Sequence, residues 1–160
     1  YILAFKEAGV DGVLLAEPLT GLLSPALAEE FSTPYVRRVV DAVQDDSFIV
    51  IYHNCGPTVN KMGLDLLETG ATAFHFGNAV DLEEILRQFP DTVPVFGNLD
   101  PVMLVTGNYD TVFEATGQMV ERLGRYKNYV PSTGCDVPPQ ASWDNIEAFF
   151  RACHERFYRG

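Results

Sequence analysis

Five short apolar stretches alternate with helical patterns along this 160-residue chain, and no hairpin turn joins any two of them. The predicted strands cover residues 11–17, 47–53, 71–76, 93–98 and 128–133. The predicted helices cover residues 2–8, 25–31, 34–44, 59–68, 81–89 and 110–123, with a last helix that begins after Ser142. Strands that alternate with helices in this way form βαβ units and a parallel sheet.

Two parallel architectures are compatible with this pattern. A doubly wound sheet would accommodate five strands, but the glycine-rich phosphate-binding turn that often follows its first strand is missing. A (β/α)8 barrel needs eight strands and about 250 residues. The chain begins at Tyr1, inside a predicted helix, as a portion of a longer protein would. We therefore expect an α/β fold in which residues 1–160 form a single domain, the C-terminal portion (about five βα units) of a (β/α)8 TIM barrel.

The polar residues at the strand ends favour the barrel. Nearly every predicted strand ends in, or is closely followed by, a polar or metal-ligating residue: Glu17, His53, His75, Asn98 and Cys135. Barrels place their chemistry at the C-terminal ends of many different strands. A doubly wound sheet concentrates it at one switch point instead.

The charge and composition exclude several classes of function. The formal net charge is -11, so no basic surface is available to neutralise phosphates, and we expect no nucleic-acid partner. No apolar run reaches the roughly 20 residues that span a bilayer, and no secretory signal is visible, so we expect no membrane partner. The three cysteines are few and widely spaced, which fits a reducing cytoplasm better than a disulfide framework.

The second predicted strand leads into two metal-ligating residues, His53 and Cys55. Residues two apart in a strand point to the same face, so this pair would continue the row begun by Ile49 and Ile51. Cys135 also lies just beyond the end of a strand, and a closed barrel could bring it to the same rim. Three protein ligands with one open position are typical of catalytic zinc. The alternative is a packed strand end in which Cys55 is a small buried hydrophobe.

Three motifs resemble those of the uroporphyrinogen decarboxylase superfamily. They are His-Asn-Cys-Gly at 53–56, Gly-Asn-Leu-Asp-Pro at 97–101, and Gly-Cys-Asp-Val-Pro-Pro at 134–139 with Asn-Ile-Glu-Ala-Phe at 145–149. Within the superfamily they are similar to the zinc methyltransferase branch, typified by methylcobalamin:coenzyme M methyltransferases. The resemblance runs over most of the chain. The decarboxylases are similar but carry His where this chain has Cys135, and they use no metal.

The resemblance implies a (β/α)8 barrel in which His53, Cys55 and Cys135 hold Zn2+ and form the catalytic centre. It also implies a small-molecule thiol as acceptor and a methylcorrinoid, carried by a corrinoid protein, as methyl donor. Only the thiolate form of a thiol is a good nucleophile, and zinc coordination removes the proton. In one respect the chain departs from the branch, because many relatives carry an acidic residue where this chain has Gly77.

Four further residues are predicted to bind substrate or support the metal centre: Glu17, His75, Asn98 and Asp100. Glu17 could be a fourth ligand or simply a carboxylate at the start of a loop. His75 could contact substrate or be a hydrogen-bonded core residue. Asn98 and Asp100 could orient a ligand, although Asp100 could equally cap the turn before Pro101.

Three functions therefore compete. The first is a cytoplasmic zinc-dependent methyltransferase that moves a methyl group from a methylcorrinoid to a thiol. The second is a metal-independent enzyme similar to uroporphyrinogen decarboxylase. The third is a non-catalytic zinc or corrinoid accessory protein. A closed set of four zinc ligands would favour this function. The identity of the thiol and the oligomeric state stay open.

Overall fold

The computed structural model of the protein describes residues 1–157, and residues 158–160 of the predicted single domain lie outside the described residues. Strands β1 to β5 span Gly12–Ala16, Ile49–Asn54, Ala73–Phe76, Val95–Leu99 and Tyr129–Thr133. Helices α1 to α8 span Ile2–Glu7, Pro25–Phe31, Thr33–Val43, Val59–Met62, Leu82–Gln88, Met103–Thr106, Tyr109–Leu123 and Trp143–Phe157. In the described part of the chain, no helix is both long and apolar enough to cross a membrane.

The five strands form one parallel sheet in the order β1-β2-β3-β4-β5. A doubly wound sheet reverses its strand order at a switch point, whereas a barrel adds each new strand beside the previous one. The uninterrupted order is therefore that of a (β/α)8 barrel, of which this chain forms a part.

The two faces of the sheet have different surroundings. The outer face packs under the helices, and its side chains Val50, Tyr52 and Phe74 are at most 1% exposed. On the inner face, Leu14 is 50% exposed and Ile49 is 40% exposed. The hydrophobic core thus lies between sheet and helices, and the inner face carries the row of residues that leads to the C-terminal rim.

The predicted helix over residues 59–68 is wrong in its second half. Helix α4 ends at Met62, and the chain continues as a 3-10 helix over Gly63–Thr69. Gly63 adopts a positive φ of 41°, which an α-helix does not accommodate. The four-residue helix α6 was not predicted, because so short a segment shows no periodicity.

We expect a buried and an exposed phenylalanine to respond differently to mutation, because the ring of Phe74 on β3 is fully buried while Phe150 on α8 is 66% exposed. The centroid of the Phe74 ring lies 5.1 Å from that of Phe89 and 5.7 Å from that of Tyr52. Phe74→Ala should lower the free energy of unfolding by about 3–5 kcal/mol. Phe150→Ala should change it by less than about 0.5 kcal/mol. Urea denaturation followed by circular dichroism measures both, and equal losses would contradict this packing.

Candidate metal centre

His53 lies near the end of β2 on the inner face of the sheet and is 6% exposed. Its Nδ1 atom lies 3.2 Å from the main-chain carbonyl oxygen of His75. A carbonyl can only accept, so we assign the proton to Nδ1, and the lone pair of Nε2 is left available. Nε2 in turn lies 3.7 Å from the Sγ atom of Cys135. This tautomer is the one that a metal-ligating histidine needs.

Cys135 reaches this position from β5, three strands away from β2 in the sheet. In a flat sheet those two strands would be separated by about 14 Å, since neighbouring strands lie about 4.8 Å apart. The sheet must therefore curve, and the loop after Thr133 must turn inward. Thr133 Oγ1 donates to the carbonyl of Cys135 at 2.7 Å, and the Gly134 amide donates to the carbonyl of Leu99 at 2.7 Å. These bonds hold the loop over the end of β4.

The donor atoms of His53, Cys55 and Cys135 all lie within 4.8 Å of one another. Bond lengths of about 2.0 Å to nitrogen and 2.3 Å to sulfur place tetrahedral zinc ligands about 3.5–3.8 Å apart. The observed 3.7 Å between Nε2 and Sγ falls in that range. One imidazole and two thiols are a donor set that zinc prefers, and three protein ligands leave a fourth position for another molecule. The residues present therefore fit zinc.

The ionisation of the site agrees with this assignment. Burial, assisted by the neighbouring His75, lowers the pKa of His53, so the imidazole stays neutral. Burial, followed by the proximity of Cys135, raises the pKa of Cys55. Among the described residues, none of the groups that shift the pKa of Cys55 is a lysine or arginine. A nearby positive charge would favour the ionised form of Cys55, and a divalent cation would supply it.

The loops at this rim approach one another so closely that glycine is required at two positions. A Cβ atom on Gly77 would lie 2.6 Å from the Cα atom of Cys55, and a Cβ on Gly134 would lie 2.5 Å from the Asn78 amide nitrogen. Any larger residue at Gly77 would push Cys55 away. The glycine at position 77 therefore has a steric basis in this chain.

The side chain of Glu17 belongs to a separate hydrogen-bond system. Its carboxylate accepts from the hydroxyls of Thr20 at 2.8 Å and Ser32 at 3.0 Å. The cluster of three metal-type donors does not include it. Its observed contacts organise the loop after β1.

Asn98 and Asp100 lie at the end of β4 and hold main-chain groups. The Asn98 amide donates to the carbonyls of Gly77 at 3.0 Å and Val80 at 2.8 Å, so it fixes the loop that packs against Cys55. The Asp100 carboxylate accepts from the Val102 amide at 2.9 Å, as a turn cap does. Of the two, Asn98 is the one whose contacts reach the candidate metal centre.

Sequence reasoning missed Asn54, which lies between the candidate ligands His53 and Cys55 and is completely buried. Its amide nitrogen donates to the carbonyl of Glu17 at 2.7 Å, and its Oδ1 atom accepts from the Gly56 amide at 2.8 Å. These bonds fix the turn that carries Cys55. The sequence carried a signal for this role. Asn54 falls on the same strand face as the apolar residues Val50 and Tyr52, and an asparagine buried on such a face needs hydrogen-bond partners.

The profile of the family described as uroporphyrinogen decarboxylase matches residues 1–156. The chain belongs to the uroporphyrinogen decarboxylase family. Its relatives in this family include the uroporphyrinogen decarboxylase of Dichelobacter nodosus, 28% identical over 156 residues, which cover 97% of this chain and 44% of the relative. The uroporphyrinogen decarboxylase of a Synechococcus strain is 30% identical over 150 residues, which cover 91% of this chain and 41% of the relative. The chain thus spans less than half the length of these family members.

A solved structure shares the fold of this family member. A methyltransferase from Methanosarcina mazei superposes with a TM-score of 0.80 at 23% sequence identity. The match covers 97% of this chain and 44% of the methyltransferase. This likeness confirms the expected fold, part of a (β/α)8 barrel.

We expect zinc binding to depend on two of the three cysteines. Cys55→Ser and Cys135→Ser should each reduce bound zinc from roughly one ion per chain to a small fraction, because each removes one of three protein ligands. Cys153→Ser is the matched control, since this cysteine lies on α8 outside the cluster. Elemental analysis after gel filtration measures the zinc content. Equal loss in Cys153→Ser and Cys135→Ser would contradict the assignment.

We expect a single methyl group at Gly77 to weaken the site. Gly77→Ala should lower zinc affinity by about tenfold or more, because the added Cβ displaces Cys55. Gly117→Ala is the control, because a Cβ there meets nothing closer than 3.5 Å. Competition with a coloured chelator measures both affinities, and circular dichroism checks that both variants fold. Unchanged affinity in Gly77→Ala would show that Cys55 is not a ligand.

Proposed function

We propose that the intact protein carrying this chain is a zinc-dependent methyltransferase that moves a methyl group from a methylcorrinoid to a thiol. One observation carries the proposal: Cys135, from the end of β5, completes a set of three zinc-type donors with His53 and Cys55. The set lies where barrel enzymes place their chemistry, at the C-terminal rim of the strands. A corrinoid protein as methyl donor, a small-molecule thiol as acceptor and a cytoplasmic location belong to the same proposal.

When bound, zinc would supply the positive charge that keeps a substrate thiol deprotonated at neutral pH. His53 contributes a neutral nitrogen, held in one tautomer by the carbonyl of His75. Cys55 and Cys135, as thiolates, would contribute two negative charges opposite a divalent cation. A thiol therefore meets a centre with a net charge near zero, and its sulfur retains electron density for attack on carbon.

The overall reaction balances without a further co-reactant. The thiol loses its proton to solvent, and a sulfur–methyl bond forms as the cobalt–carbon bond of the methylcorrinoid breaks. The electron pair of the broken bond stays with the corrinoid. No general base from the chain is required, and the Glu17 carboxylate is already engaged by Thr20 and Ser32.

The comparisons support two candidate functions. The structural neighbour from Methanosarcina mazei is named a methyltransferase, which agrees with the leading proposal. The curated relatives from Dichelobacter nodosus and Synechococcus are named uroporphyrinogen decarboxylases, which favours a decarboxylase as the second candidate. The sequence resemblance implies that a decarboxylase of this family uses no metal, so the three-donor cluster favours methyl transfer.

Parallel assays of the intact protein distinguish these candidates. With methylcobalamin and small thiols such as 2-mercaptoethanesulfonate, we expect loss of methylcobalamin absorbance and formation of the methyl thioether, detected by mass spectrometry. With uroporphyrinogen we expect no carboxyl loss. Cys135→Ser should reduce methyl transfer by about 100-fold or more, because a metal supplies several kcal/mol of stabilisation.

The control for this experiment is Cys153→Ser, which should transfer methyl groups at the wild-type rate. Removal of zinc with a chelator should abolish the activity, and added zinc should restore it. Decarboxylation of uroporphyrinogen that survives both the chelator and Cys135→Ser would overturn the methyltransferase proposal in favour of the second candidate.

A further inference from the structure

We propose that His75 is the positioning residue of the metal centre, and that it fixes the ligand from β2 and the ligand from β5 at the same time. Its main chain orients His53, and its side chain anchors the strand end that carries Cys135. The inference rests on the proposed zinc site and adds a residue that holds two ligands without binding the metal itself.

The first contact is made by the main chain of His75. Strands β2 and β3 pair in a register that places His53 beside His75. The carbonyl of His75 accepts from Nδ1 of His53 at 3.2 Å. The two rings lie one above the other, with centroids 4.6 Å apart and planes inclined by 32°. The imidazole of His53 is thus fixed in both tautomer and tilt.

The second contact is made by the side chain of His75, which reaches over β4 to β5. Nε2 of His75 lies 2.7 Å from the main-chain carbonyl oxygen of Thr133. Since a carbonyl only accepts, Nε2 carries the proton and donates. Thr133 is the last residue of β5 and lies two residues before Cys135. The bond therefore fixes the point from which the cysteine loop departs.

The remaining nitrogen of His75 argues against a role in packing alone. Nδ1 is then an unprotonated acceptor, buried and without a hydrogen-bond partner among the described residues. A buried polar atom without a partner costs about 1–3 kcal/mol. A phenylalanine would fill the same volume without that cost. The imidazole is explained by the bond that Nε2 donates to Thr133.

This arrangement predicts an effect on metal affinity that packing alone would not produce. Strands β2 and β5 are separated by β3 and β4, so no ladder hydrogen bond joins them. His75 contacts both His53 and the residue that ends β5. Substitution of His75 keeps its main-chain carbonyl but removes the side-chain bond to Thr133, so the end of β5 should move relative to His53 while the strands stay paired.

The test compares His75→Phe with His75→Gln in the intact protein. Phenylalanine keeps the ring but cannot donate, and we expect zinc affinity to fall by about 10–100-fold, as for other residues that orient metal ligands. The Gln amide can donate to the Thr133 carbonyl from nearly the position of Nε2, so it should restore most of the affinity. Ser132→Ala is the control, since that hydroxyl lies 3.5 Å from Nε2 and leaves the Thr133 bond intact.

A second measurement uses the metal-free protein. The Gly134 amide donates to the carbonyl of Leu99, so its hydrogen–deuterium exchange reports whether the strand end is held. Exchange should be faster in His75→Phe and close to wild type in His75→Gln. Should His75→Phe fail to fold, His75→Asn takes its place, because its shorter side chain cannot reach the Thr133 carbonyl.

The two readouts separate failure of this proposal from failure of the proposed function. If His75→Phe has the zinc affinity and the Gly134 amide exchange of the wild type, the positioning role of His75 is wrong. If the wild-type protein binds no zinc, yet exchange rises in that variant and is restored by glutamine, the metal function is wrong and the positioning role stands. Lower zinc affinity together with faster exchange supports both.

Discussion

The structure depends on the curvature that brings the ends of β2 and β5 together. The 3.7 Å between His53 Nε2 and Cys135 Sγ is far below the separation that a flat sheet would give these strands. A barrel curves because its sheet closes on itself, and its strand ends then face a common rim. Residues that are 82 positions apart in the chain become neighbours for this reason. The donor cluster is thus a consequence of the architecture.

Curvature alone would leave the three donor side chains loosely placed, and hydrogen bonds to main-chain carbonyls make the placement specific. His75 accepts from His53 and donates to Thr133, while Asn98 holds the loop that packs against Cys55. Gly77 allows this loop to approach the cysteine directly. A site in which neighbouring strands brace each ligand is held within the small tolerances that chemistry at a metal requires.

Much of the fold was predictable from local patterns. All five strands were found, with bounds within two residues, because apolar β-branched runs ended by turn residues identify strands without knowledge of their neighbours. The 3-10 helix over Gly63–Thr69 and the helix Met103–Thr106 were mispredicted or missed, because short or irregular helices lack a period. Phe149 is buried and its neighbour Phe150 is exposed, since adjacent helical residues point about 100° apart.

The sequence by itself determined the types of donor atom: an imidazole and a thiol two residues apart after one strand, and a second thiol after another. It also determined the alternation that makes the sheet parallel. Only the tertiary structure decided which polar residues meet. Glu17 and His75 both lie at the ends of predicted strands, yet the first is bound by nearby hydroxyls and the second contacts both His53 and Thr133. Local pattern fixes where a side chain leaves the backbone, whereas the distance between side chains far apart in the chain depends on how the whole sheet curves.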